Sequence, residues 1–121
     1  MRFAQDSFAT NSIRAYSDGE ISVNEKTVTK SVVISPDIIQ PWTPRSIDEL
    51  APEHVDPLIE LNPEIVIIGT GQELAFPPAG IIAGLQTQGI GAEIMANDAA
   101  CRTFNILLAE DRRVLVALLM G

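Results

Sequence analysis

Cysteine occurs once in the 121 residues, at Cys101, and histidine once, at His54. A single thiol excludes an intramolecular disulfide. One histidine beside one cysteine leaves no Cys/His set for a dedicated transition-metal site. Basic residues are scarce: 8 Lys and Arg stand against 16 Asp and Glu, a net charge of −8. No basic run exists to release counterions from a polyanion, which argues against nucleic acid and anionic lipid as partners. Long apolar runs are also missing. The longest, Val114 to Met120, falls far short of the roughly 20 residues a spanning helix needs. The opening residues, Met1 to Ser7, lack the apolar core of a signal peptide and carry Asp6. These absences lead to the expectation of a cytoplasmic, soluble protein with no cofactor and no direct membrane insertion.

What is present suits a globular chain. Hydrophobic residues make up 46%, enough to bury a core, and the length predicts one domain over 1–121 with a loosely held start at 1–11. Ile13, Ala15, Ile21 and Val23 alternate with polar residues around Asp18-Gly19, the pattern of a β-hairpin. Thr27-Val28-Thr29 extends this into a ribbon whose last strand, through Val32-Val33-Ile34, bends into or beside the main sheet. Tyr16 reads as a side chain covering the ribbon, with a functional aromatic as the alternative. From Ser35 to Pro63 the chain is expected to be irregular, because Pro36, Pro41, Pro44, Pro52 and Pro57 oppose a long helix. Ser46 and Glu49 have capping-box spacing for one short turn. Asp56-Pro57 reads as cap and first position of a short helix ending at Leu61. Trp42 reads as a seal on an edge of the core rather than an exposed docking residue, and His54 as solvent-facing.

The remainder alternates strand and helix. Ile65-Val66-Ile67-Ile68 has no polar alternation and predicts a central strand covered on both faces. A helix follows Pro77-Pro78, with Pro78 in its first position, Ile81, Ile82 and Leu85 inward, and Gly84 present for close contact with the sheet. Ala92–Ala96 forms the next strand. The last helix, Ala99–Glu110, is capped by Asn97 or Asp98 and buries Ala100, Cys101, Phe104, Leu107 and Leu108. Val114–Leu119 repeats the unalternating pattern, and two such segments predict neighbouring strands inside an α/β layer. The last strand is parallel by default.

No catalytic constellation emerges. Gly69-x-Gly71 sits where a phosphate loop would, but Leu74 replaces the third glycine and two prolines open the following helix. Cys101 lies near a helix start, yet on its apolar stripe, and reads as a core residue rather than a nucleophile. If strands 65–69 and 92–96 are parallel neighbours, Gly69, Thr70, Gly71, Gln72 and Glu73 emerge beside Asn97, Asp98 and Arg102. That is the expected place for a small polar cleft, or for a set of caps and turn residues.

Ile65-Val66-Ile67-Ile68-Gly69-Thr70-Gly71, then Gly89-Ile90-Gly91-Ala92-Glu93-Ile94-Met95, then Ala100-Cys101-Arg102-Thr103-Phe104-Asn105-Ile106-Leu107, resemble the Mth938-like domain family. Ile13, Tyr16 and Trp42 extend the likeness over nearly the whole chain. The resemblance implies a three-layer α/β/α domain with a mixed central sheet, an added N-terminal antiparallel ribbon and an antiparallel last strand. It implies no catalytic residues, since the family has no established reaction and its mitochondrial branch includes respiratory complex I assembly factor 3. Where the family commonly carries Thr or Ser after its Met, this chain has Ala96-Asn97-Asp98. With no Arg-rich, acid-poor presequence, the expectation is a member of bacterial type, hence cytoplasmic. The expectation is a non-enzymatic interaction or assembly module whose protein partner belongs to a membrane complex. The alternative is a metabolite-binding protein or enzyme using the Gly69–Gly71 edge. Self-association is compatible with either, although no heptad or exposed apolar repeat indicates it.

Overall fold

The computed structural model describes residues 10–121. Most of the segment expected to be loosely held, 1–9, lies outside the described residues. Asn11 contradicts that expectation for its own position. It is buried, its N–H bonds the Pro36 carbonyl, and its side-chain amide donates to the Ser35 and Ile38 carbonyls.

Strands β1 (Ile13–Ser17), β2 (Glu20–Val23) and β3 (Lys26–Val28) form the antiparallel ribbon, turning at Asp18-Gly19. A five-stranded sheet comprises β4 (Val32–Ile34), β5 (Ile39–Pro41), β6 (Ile65–Gly69), β7 (Gly91–Met95) and β8 (Val114–Leu118), in the order β5-β4-β8-β6-β7. Strand β6 is parallel to both neighbours, with Ile67 opposite Val116 and Glu93. The sheet is mixed because β4 runs against the other four strands, antiparallel to β5 and to β8; the last strand, β8, is parallel to β6 on its other side.

Alternation of side chains across the two central strands divides the core. Ile67, Val114, Val116 and Leu118 point to one face, where Ala100, Cys101 and Phe104 of helix α3 (Asn97–Ala109) and Ile13, Ile21 and Val23 of the ribbon cover them. Val66, Ile68, Leu115 and Ala117 point to the other, under helices α1 (Pro52–Glu60) and α2 (Ala79–Gln86). Unalternating apolar sequence is what a strand needs when neither face meets water. Asn105 clips ribbon to helix: its Oδ1 accepts the Ile13 N–H at 3.1 Å and its Nδ2 donates to the Ile13 carbonyl at 2.7 Å.

Several boundaries differ from expectation. Strand β5 forms in the stretch expected to be irregular. Helix α1 begins at Pro52 and carries Pro57 inside it, on an exposed face. His54 is half-buried rather than solvent-facing: its Nδ1 accepts the Ala51 N–H at 2.9 Å and fastens the helix start. Trp42 is buried in the second core, its Nε1 donating to the His54 carbonyl at 3.0 Å, as an edge seal should be. The turn at Ile47–Glu49 forms without a Ser46 side-chain cap; Glu49 instead accepts the Arg45 N–H and pairs with its guanidinium. Pro78 is the cap of α2 and not its first residue, and Ile82 is only half-buried. A Cβ on Gly84 would meet nothing within 4 Å, so close contact with the sheet is not the reason for that glycine. Helix α3 starts at Asn97, two residues earlier than expected, because Asn97 turns inward instead of capping.

Candidate functional site

The carboxyl ends of β6 and β7 do bring together the residues expected to meet there, and the hydrogen bonds show how each is occupied. Asn97 is 2% exposed. Its Oδ1 accepts the Gly71 N–H at 3.1 Å, its Nδ2 donates to the Leu119 carbonyl at 3.0 Å, and its own N–H reaches the Gly71 carbonyl at 2.8 Å. One side chain thereby joins the β6 exit to the end of β8. Gly69 is needed because the two elements approach so closely that a Cβ there would overlap Asn97 Oδ1 and Leu118 Cδ2. Gly71 adopts φ +114°, which side chains rarely tolerate.

Thr70 is buried as well. Its hydroxyl donates to the Glu73 carbonyl at 2.8 Å and accepts the Ala75 N–H at 3.1 Å, while its N–H bonds the Met95 carbonyl. The backbone donors a phosphate would require at positions 70, 71 and 75 are therefore all occupied within the protein. Gln72, Glu73, Asp98 and Arg102 remain at the surface; Arg102 and Asp98 face each other at 3.8 Å, an exposed pair of small energetic consequence. Tyr16 stands beside this edge. Burial raises its phenol above the ordinary value, the Asn97 amide acts the other way, and Asp18, Cys101 and Asp98 add to the rise. Cys101 is buried, and desolvation, reinforced by Asp98, pushes its thiol up to about 12. Such a thiol is protonated at neutral pH and is a poor nucleophile. Among the described residues no His, Cys, Asp and Glu side chains gather in a group able to hold a metal ion.

The feature that sequence reasoning missed is the loop that Thr70 braces. Leu74 is 52% exposed and Phe76 75% exposed, the latter immediately before Pro77-Pro78. Ile106, on the outer face of α3, is the other large apolar side chain standing in water among the described residues. The signal for Leu74 and Phe76 was available: both fall outside any helical or strand period, so no apolar stripe recruits them.

Residues 13–119 match the family model described as "Protein of unknown function (DUF498/DUF598)". The chain belongs to that family. Its fold is the Mth938-like domain: a Mth938-like domain protein of Bordetella pertussis superposes with a TM-score of 0.81 at 28% identity, covering 92% of this chain and 86% of that one. A protein named "13 kDa major membrane protein" in Francisella tularensis subsp. holarctica is 40% identical over 68 residues, 56% of this chain and 55% of its own length. NADH dehydrogenase (ubiquinone) 1 alpha subcomplex assembly factor 3 of Danio rerio is 29% identical over 109 residues, 88% of this chain and 63% of its own length. The DUF498/DUF598 chain thus spans under two thirds of these two relatives. Among its described residues no helix is long and apolar enough to cross a membrane.

Proposed function

We propose that this protein is a non-enzymatic interaction module that helps assemble or stabilise a membrane-bound complex, of the respiratory type, from its cytoplasmic side. The observation that carries the reading is the loop presenting Leu74 and Phe76 to water. An exposed phenyl and isobutyl group within three residues costs solvation free energy that a partner can recover, since burying each side chain is worth about 1.5–3 kcal/mol. The loop is also held ready. Thr70 Oγ1 binds it at Glu73 and Ala75, and Pro77-Pro78 stiffens its far end. Pre-organisation of this kind lowers the entropy lost on binding. The kinship with a chain named as a complex I assembly factor supports the same reading.

The alternative, a small metabolite or substrate at the Gly69–Gly71 edge, would depend on Gln72, Glu73, Asp98 and Arg102, because Thr70 and Asn97 are occupied by backbone groups. We rank it second for that reason.

A gentle affinity pull-down from the source cells tests the proposal. Wild-type protein is expected to recover a membrane-complex subunit. The double substitution Leu74→Ser, Phe76→Ser should reduce that recovery by about tenfold or more without lowering the melting temperature. Recovery no higher than background, or undiminished by the double substitution, would count against the proposal.

A further inference from the structure

At the end of the sheet remote from Gly69–Gly71 lies a cavity of about 440 Å³, bounded by the turn after β4, the loop between α1 and β6, and the start of β8. That volume falls within the roughly 300–1,000 Å³ typical of small-molecule sites. Pro36, Leu61, Pro63 and Val114 give it apolar walls, and Arg113 and Asp37 stand at its rim.

We propose that this cavity binds a small organic monocarboxylate with an apolar body, its carboxylate received by the Arg113 guanidinium. The guanidinium is anchored to the protein at Nε and its backbone is pinned to Glu64, while the residue itself is exposed. Arg113 Nε donates to the Asn62 carbonyl at 3.2 Å, its N–H donates to Glu64 Oε1 at 2.9 Å, and its carbonyl accepts the Glu64 N–H at 2.8 Å. The two terminal guanidinium nitrogens have no partner among the described residues. Glu64 is shared between the two arginines: Oε1 accepts the Arg113 N–H at 2.9 Å and Oε2 faces Arg112 Nε at 3.5 Å. With Asp37 counted, two arginines face two carboxylates around the opening, and Arg113 is the cation that borders the apolar cavity. A planar fork of this kind matches a carboxylate in two parallel hydrogen bonds.

Asp37 sets the charge of the ligand. Its Oδ1 accepts the Ser35 hydroxyl at 3.0 Å, which fixes a negative charge across the rim. A second anionic group on the ligand would meet that carboxylate, so dicarboxylates and phosphates are disfavoured. The overall −8 charge of the chain adds to this selection.

Hexanoate, hexanol, hexylamine, glutarate and inorganic phosphate are the probes, read by NMR titration of the full chain. Hexanoate is expected to shift the Leu61 and Val114 methyls and the Arg113 Nε–H saturably, and to bind about tenfold or more tightly than hexanol, as a charge-assisted hydrogen bond implies. Hexylamine, glutarate and phosphate should bind more weakly than hexanoate. Arg113→Met should remove the preference for hexanoate over hexanol while the backbone spectrum stays unchanged. Asp37→Asn should let glutarate in. Equal affinity for hexanoate and hexanol, shifts confined to other residues, or no shift at all would each overturn the proposal. The wild-type comparison of the two six-carbon probes decides it even if a variant fails to fold.

Discussion

At the scale of single residues, the side chains that look most chemical hold the architecture together. Asn97 is the clearest case. Replacing it by Ala strands the Gly71 N–H and the Leu119 carbonyl, so Asn97→Ala should cost about 2–4 kcal/mol in denaturant unfolding. A loss below the scatter of such measurements would mean water replaces both bonds. Cys101 supports a prediction about pH. Its folded pKa of about 12 lies above the ordinary 9.0, so the thiol ionises first in the unfolded chain. The contribution of this thiol to stability is then complete below about pH 9 and is lost as pH rises toward 12. Tyr16, also raised, acts in the same direction. The slope of unfolding free energy above pH 9 should be shallower in Cys101→Ala than in wild type; identical slopes would contradict the buried, protonated thiol.

These residues also show where reading the sequence stops. Asn97 was legible as a polar residue at a helix start, but an asparagine that caps outward and one that pins inward look alike until the β8 terminus is known to pass beside it. His54 looks solvent-facing in the sequence because its partner is a backbone N–H three residues earlier, which leaves no mark in composition. Arg113 and Asp37 come together only through the fold, since 76 positions separate them in the chain.

At the scale of elements, β6 and β8 were legible because a strand shielded on both faces is written as an uninterrupted apolar run. The ribbon was legible through Asp18-Gly19. What failed was the proline-rich stretch. Pro52 opens α1 where its missing N–H costs nothing, and Pro57 is tolerated because Val55 and Leu58 anchor the helix to the core. Strand β5 is three residues long and exists by pairing with β4, a contact that local propensity does not encode. Helix α2 offers a test. Gly84 has free space where its Cβ would be and borders a shallow 240 Å³ gap between α1 and α2. Gly84→Ala should therefore stabilise the protein by about 0.5–1 kcal/mol, through helix propensity and a less flexible unfolded chain. Destabilisation in thermal or denaturant melts would show that the gap is needed open.

At the scale of the whole molecule, the residues that carry the family resemblance have structural work. Gly69 and Gly71 let β6 pass Asn97, Phe104 fills the core, and Asn105 ties the ribbon down. With those positions accounted for, function is to be sought on surfaces that the fold leaves unsatisfied, and the Leu74–Phe76 loop is the foremost. Site-specific photo-crosslinking in the source cells tests this most directly, with a benzophenone side chain placed at position 76 and, as a control, at exposed Gln86. The account predicts discrete adducts with a membrane-complex subunit from position 76 and none from position 86. Adducts absent from 76, or the same from both positions, would contradict it.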